Sequence, residues 1–281
     1  MRWVSFLPFN AAAPKCGVLC LVGALLAGCS KETPYTERPL NDIYQEGMRK
    51  LKEKRFEKAS EEFDQVEQQY PYSEWAPKAQ LLSAYALYRH ENYERAIGIL
   101  ENFTHLHPYH PLAAYAYYLR ALCFYEQIGS VDRDMINTEL AFDALSELIN
   151  RFPNTIYAKD ARFKRDFAFN QMAAHHMVVG RYYQNQGTFI GAIGRFQRVT
   201  ARFNKSVYTP EALCRLVECN LSLGLLDEAH RTAQVLAHNF PKSLWYKDAY
   251  ALVQKHVKAP TTQKAAALPS PESIADKTKK T

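Results

Sequence analysis

The sequence predicts an all-α protein in which five helix pairs stack as a right-handed superhelix. Three observations carry that prediction. A motif recurs five times between residues 40 and 254: an aromatic or large apolar residue, Ala three positions on, apolar residues at plus seven and plus ten, then an aromatic residue and Pro. An alanine stands eight residues beyond every proline slot, at Ala79, Ala116, Ala161, Ala212 and Ala249. Apolar spacings of three and four are the period of a helix, and Pro after the last periodic residue halts one. A helix pair of this kind cannot bury its apolar stripe alone, so neighbours stack and leave a concave face.

The elements follow in chain order. Arg2 and Lys15 precede an apolar run from Cys16 to Ala27. At about a dozen residues it is too short for a hydrocarbon core of roughly 30 Å and reads as the centre of a secretory signal peptide over 1–28. Leu26-Ala27-Gly28-Cys29 resembles a bacterial lipobox. The Cys29 thiol is then the nucleophile that accepts a diacylglyceryl group, and its freed amine takes a palmitoyl chain. Several acyl chains anchor stably. Ser30 stands where an Asp would resemble an inner-membrane retention signal, so the expected site is the outer membrane, facing the periplasm. Residues 29–40 read as a tether.

The first repeat is Phe56, Ala59, Phe63, Val66, Tyr70, Pro71, and the second Tyr93, Ala96, Leu100, Phe103, His107, Pro108. The third keeps Ala141, Leu145, Leu148, Phe152 and Pro153. The fourth is Phe189, Ala192, Phe196, Val199, Phe203, with Asn204 in the proline slot, and the fifth Leu226, Ala229, Ala233, Leu236, Phe240, Pro241. Ser73, Thr155, Ser206 and Ser243 follow these stops, placed to cap the next helix. The slots step by 37, 45, 51 and 37 residues, so the third and fourth units need extra length. A loop near Gly129–Asp134 and a long helix from about Ala158 to Gln186 supply it. The pattern resembles the tetratricopeptide repeat, and Gly180 and Tyr183 ahead of Phe189 and Ala192 fit that family's Gly-x-x-Tyr spacing. Residues 41–157 form an N-terminal half and 158–255 a C-terminal half. Residues 256–281, rich in Ala, Lys, Thr and Pro, read as a disordered tail.

Composition excludes several functions. Of 35 Lys and Arg, two lie in the leader and six in the stretch from Lys255 onward, leaving 27 basic residues against 27 acidic ones in between. That balance argues against a nucleic-acid partner. The chain holds no His-Glu-x-x-His, Gly-x-Ser-x-Gly, Cys-x-x-Cys or phosphate-binding glycine loop, so no catalytic set, cofactor or metal site is assigned. His105, His107 and His110 read as helix-end chemistry, and the adjacent His175 and His176 point too far apart to share a ligand. Glu61-Glu62 and Asp227-Glu228 read as solvated helix faces. Cys123, Cys214 and Cys219 read as buried free thiols.

A groove remains. Aligning on the repeated alanines puts Tyr44, Lys78, Tyr85, Tyr88, Arg89, Tyr115, Tyr118 and Tyr125 on or near the concave side. Tyrosine gives rigid amphipathic contact, and Lys or Arg holds a carboxylate, so the lining suits an extended peptide with aromatic side chains and a C-terminal carboxylate.

Ordered segments make the likeness specific: Tyr70-Pro71-Tyr72-Ser73-Glu74-Trp75-Ala76, Ala84-Tyr85-Ala86-Leu87-Tyr88, Pro108-Tyr109-His110-Pro111, Val131-Asp132-Arg133-Asp134, Val179-Gly180-Arg181-Tyr182-Tyr183, and Pro210-Glu211-Ala212-Leu213. After a lipobox, this series resembles the BamD (ComL/YfiO) family, lipoprotein subunits of the outer-membrane β-barrel assembly (BAM) complex. The resemblance implies a non-enzymatic scaffold. Its N-terminal repeats would receive unfolded outer-membrane β-barrel proteins, with Tyr85, Tyr88, Arg89, Tyr115 and Tyr118 in that half. Its C-terminal repeats would dock a POTRA domain of the barrel subunit BamA, with Arg195 matching the family's docking arginine, and would hold small lipoproteins such as BamC and BamE. His176, where relatives often carry an acid, and Asn204 depart from the family pattern. Another periplasmic repeat lipoprotein, coordinating peptidoglycan work or acting as a pilotin, is the alternative reading.

Overall fold

The computed structural model describes residues 37–257 together with Leu268 and Ser270. The signal peptide, Cys29, most of the tether and most of the tail expected from the sequence lie outside these residues. Eleven helices occur among the described residues. The first pair is α1 (Leu40–Lys52) and α2 (Phe56–Gln69), and the second is α3 (Ala76–Arg89) and α4 (Tyr93–Leu106). The third is α5 (Ala113–Tyr125) and α6 (Ile136–Arg151), the fourth α7 (Ile156–Asn185) and α8 (Phe189–Arg202). The fifth is α9 (Thr209–Ser222) and α10 (Leu226–Asn239), and α11 (Leu244–Val257) ends the row. The fold is all-α, as the periodicity predicts.

Each helix packs on the next in the chain, and α3 also meets α5, α5 meets α7, and α9 meets α11. Odd-numbered helices therefore neighbour one another along one layer. The repeated alanines occupy the contacts: Ala79, Ala116, Ala161, Ala212 and Ala249 are fully buried, as are Ala59, Ala96, Ala141, Ala192 and Ala229. The apolar clusters are strung along the stack. One gathers Ile43, Phe63 and Val66, another Leu87, Leu100 and Phe103, a third Leu145 and Leu148, a fourth Phe196 and Val199, and a fifth Val217, Leu236 and Tyr246.

The motif's closing aromatic is a helix stop. The N–H groups of Tyr70, His107, Phe152, Phe203 and Phe240 bond the carbonyls of Val66, Phe103, Leu148, Val199 and Leu236. The next helix is then capped: Ser73 Oγ accepts from Ala76 N at 3.2 Å and Thr155 Oγ1 from Ala158 N at 3.2 Å. Within a pair, the turn needs one left-handed residue. Gly187 (φ 73°) and Gly224 (φ 75°) supply it in the fourth and fifth pairs, and Lys54 (φ 60°) and Glu91 (φ 62°) in the first two.

Two glycines mark close helix contacts. A Cβ on Gly47 would lie 2.7 Å from the Phe63 ring, and one on Gly180 would lie 2.5 Å from the Phe196 ring. The third pair uses a long connection instead of a tight turn. It lies along α7, where Gln171 Nε2 donates to Gly129 O at 3.4 Å and His175 Nδ1 to Val131 O at 2.7 Å.

One expectation is corrected. Glu62 is 7% exposed, not a solvated carboxylate, because Lys50 Nζ reaches its Oε1 at 2.6 Å. Leu268, in the stretch read as a disordered tail, is 5% exposed and joins the last apolar cluster with Tyr246 and Val253. Among the described residues no helix pair follows α11, and Leu268 covers part of the apolar surface there.

Candidate functional site

The N-terminal half places its aromatic residues along the layer of α3, α5 and α7. Between these helices and α1 lies a cavity of about 410 Å³, lined by Tyr44, Lys78, Leu81, Leu82, Tyr85, Leu112, Tyr115 and Tyr157. The rings brace each other. Tyr115 and Tyr118 stand 5.7 and 5.2 Å from Tyr157, and Tyr44 packs edge-on to Trp75 at 4.7 Å. Lys78 Nζ lies 5.7 Å over the Trp75 ring and is the cation on the cavity wall.

Tyr85 and Tyr115 thus meet in one cavity, as the alanine alignment predicts. Tyr88, Tyr118 and Arg89 do not line it. The Tyr88 hydroxyl donates to Glu126 at 3.2 Å and that of Tyr118 to Asp160 at 2.7 Å, so both tie the cavity's helices to their neighbours. Arg89 is exposed, its guanidinium 3.1 Å from the Tyr85 hydroxyl and 5.2 Å from the Phe56 ring. Tyr125 stacks with Phe167 at 5.7 Å further along the row.

Burial and then neighbouring Glu126 push the Tyr88 hydroxyl up to about 12. Burial and then Tyr85 do the same to Tyr115, also to about 12. Burial and the bond to Asp160 raise Tyr118 further. Tyr88, Tyr115 and Tyr118 are therefore neutral at any physiological pH and act as hydrogen-bonding apolar surfaces.

The sequence reading missed Leu81, Leu82, Leu112 and Tyr157. A signal for two of them exists. The position four before each repeat alanine reads Trp75, Leu112, Tyr157, Tyr208 and Trp245, a bulky column as regular as the alanines themselves.

Of the second-turn histidines His105 is exposed, whereas His107 and His110 lie half-buried at the helix end. His107 and His110 stack on Phe103 at 5.3 and 5.6 Å, and His110 Nδ1 accepts from Leu112 N at 3.1 Å. Cys123, Cys214 and Cys219 are free and buried, and burial raises the first two thiols to about 12 and the third to about 11. None of them is a thiolate at neutral pH.

In the C-terminal half Arg195 stands partly buried on α8. It acts on the ring of His176, which is 5% exposed and whose Nδ1 has no hydrogen-bond partner. Burial first, then His175 and the arginines Arg195, Arg198 and Arg202, hold His176 down to about 4, so it is neutral at pH 7.

Known proteins bear on this arrangement. The YfiO family profile, described as an outer membrane lipoprotein, matches residues 36–236. A Caulobacter vibrioides protein, outer membrane protein assembly factor BamD, is 42% identical over 248 residues, spanning 86% of this chain and 81% of its own. Its Rickettsia prowazekii namesake is 39% identical over 240 residues, spanning 85% and 96%. One from Neisseria meningitidis serogroup A is 32% identical over 218 residues, spanning 74% and 82%. The family match covers well over half of a stack whose helix stops, buried alanines and aromatic cavity have just been described, and the chain belongs to the YfiO family of outer-membrane lipoproteins.

Proposed function

We propose that the protein is the BamD-type subunit of an outer-membrane β-barrel assembly complex, a non-enzymatic scaffold anchored by lipid at Cys29 and facing the periplasm. Its N-terminal cavity receives the end of an unfolded barrel protein. Its C-terminal half, through Arg195, docks a POTRA domain of the barrel subunit BamA, alongside small lipoproteins of the BamC and BamE kind. The relatives' name and their coverage of this chain support the assembly role. No helix among the described residues is long and apolar enough to cross a membrane.

The observation that carries the substrate reading is the aromatic cavity with a single cation on its wall. A volume of about 410 Å³ holds one or two large side chains. Lys78 at the wall is a point charge for a terminal carboxylate. A chain end that finishes in an aromatic residue meets both features at once.

The test is cross-linking of a peptide that ends in phenylalanine with a free carboxylate. Joint replacement of the cavity tyrosines Tyr85, Tyr115 and Tyr157 by alanine should reduce it at least tenfold, and amidating the peptide terminus should weaken binding to the native protein. Unchanged cross-linking in the triple variant would remove the N-terminal half as the receptor. Depleting the protein should lower the level of outer-membrane barrel proteins, whereas a peptidoglycan or pilotin adaptor would leave them unchanged.

A further inference from the structure

Helix α8 carries three arginines and no acid across Phe189–Arg202. Arg195, Arg198 and Arg202 are spaced by three and four residues and so share a face. Among the described residues, none of the three has a carboxylate within 4.0 Å. Several other arginines are answered: Arg181 by Glu211 at 2.6 Å, Arg231 by Glu228 at 2.9 Å, Arg151 by Glu147 at 2.9 Å; Arg89, Arg133 and Arg162 are not, but they stand singly rather than in a row on one helix. Arg202 lies 5.9 Å over the ring of Phe203. His176 underneath adds no balancing charge.

The ends of this stripe are apolar. Ile190, one turn before Gly194, is 77% exposed. At the other end Arg202 lines a cavity of about 240 Å³ together with Phe142, Phe169, Met172 and Phe203, and with the acids Glu139 and Asp143. That volume suits one large apolar side chain. Gly194 lies between the ends, and a Cβ there would meet nothing within 4 Å. No internal contact asks for glycine at that place, and its bareness lets another chain approach the α8 backbone beside Arg195.

We propose that Arg195, Arg198 and Arg202 form one seat for an acidic segment of a folded partner protein, with the cavity beside Arg202 taking that segment's apolar anchor. The inference rests on the docking reading above and extends it from one contact to a row. Planar guanidinium forks a helical turn apart match carboxylates spaced along one face of a partner helix or strand. A charged row ending in an apolar socket is the anatomy of a protein interface, with its anchor pocket and polar rim. A lipid surface would use the charge and leave the socket idle. Glu139 and Asp143 fix the direction: the segment's acids face the Arg195 end, and the residue beside its anchor is neutral or basic.

The test uses the mature lipoprotein in detergent and the purified periplasmic domain of the barrel subunit as probe. Arg198→Glu and Arg202→Glu should each weaken binding by roughly tenfold, as Arg195→Glu does, in line with the worth of a charge-assisted hydrogen bond. Arg198 and Arg202 are exposed and Arg195 is partly buried on α8, and unchanged circular dichroism and melting temperature identify correctly folded variants. Phe142→Ala, which removes an apolar wall of the socket, should weaken binding while leaving the arginines in place. Loss of binding with Arg195→Glu but not with the other two overturns the row and leaves the docking reading standing. No loss with any of the three overturns both. Loss of phosphatidylglycerol-vesicle binding, or of self-association, in variants that still hold the barrel subunit also overturns the seat.

Discussion

The two halves of the stack use the same repeat positions for opposite purposes. One residue before the repeat alanine, the first half has Lys78 and Tyr115 and the second has Glu211. Three residues after it, Leu82 stands in the first half and Arg215 in the second. The outcome is an open, ring-lined cavity at one end and a filled ionic network at the other. Arg181 grips Glu211 through two bonds of 2.8 and 2.6 Å, Arg215 reaches Glu218 at 2.9 Å, and Gln184 joins Glu218 at 2.6 Å. A face whose charges answer each other has little left to offer a ligand. The second half's unanswered charge lies on α8, in the other helix layer. One backbone plan therefore presents a receptor on its odd-numbered helices near the start and a docking stripe on an even-numbered helix near the end.

The largest effect that sharpens this contrast is on pH. His176 is held at about 4 when folded and returns towards 6.5 when unfolded. Above 6.5 neither state is protonated and stability is full. As pH falls from 6.5 to 4 the unfolded chain takes up a proton that the native state refuses, so stability drops, and below 4 the loss stops. At about 1.4 kcal/mol per pKa unit, the loss is up to about 3 kcal/mol. Urea denaturation at pH 7 and 4.5 should show wild type losing more than His176→Phe. Equal losses would mean that the second half carries no such group. The first half's tyrosines, up at about 12 in Tyr88 and Tyr115, give no counterpart in this range.

Next in size is the network itself. Glu211 is 8% exposed, and Glu211→Ala leaves Arg181 and Arg215 without their shared acid. Removing one partner of a buried pair costs 3–5 kcal/mol, and Arg181's partial exposure reduces this to about 2 kcal/mol. Lys78→Ala, at the equivalent place in the first half, should cost under about 0.5 kcal/mol because Lys78 is exposed, while weakening the peptide through its carboxylate. Equal destabilisation by the two changes, measured by urea midpoints, would break the comparison.

How much of this was legible depended on whether a signal was periodic. Helix stops, buried alanines and the long α7 follow from spacings of three, four and eight residues, which any copy of the repeat displays. The floor of the cavity was harder. Leu81 and Leu82 look like ordinary core leucines, and only stacking decides that they face an opening. Glu62 read as solvated because its partner Lys50 is on the preceding helix, and side-chain pairing across a helix pair has no signature along the chain. Lys54 and Glu91 were invisible for a similar reason. Their left-handed turns are imposed by the pair's geometry against the residues' own preference, at a cost of roughly 1 kcal/mol each. Leu268 lies in a stretch whose composition signals disorder, yet its own side chain is buried in the last apolar cluster, a contact with no periodic signal along the chain.

The smallest effect separates two glycines that look alike in sequence. Gly180 and Gly194 both lie inside helices, where Ala is favoured over Gly by up to about 1 kcal/mol. At Gly180 the added methyl would meet the Phe196 ring at 2.5 Å, so overpacking outweighs propensity and Gly180→Ala should lower stability by about 1 kcal/mol net. At Gly194 the space is open, and Gly194→Ala should raise stability by about 0.5–1 kcal/mol. A protein that keeps glycine where alanine is more stable gives up stability for something outside its own fold. Gly194→Ala should accordingly melt higher yet bind the barrel subunit's periplasmic domain more weakly than wild type. Higher melting with undiminished binding would leave Gly194 unexplained and would strip the α8 stripe of its close approach, whereas lower melting would show that α8 at Gly194 is packed as tightly as α7 at Gly180.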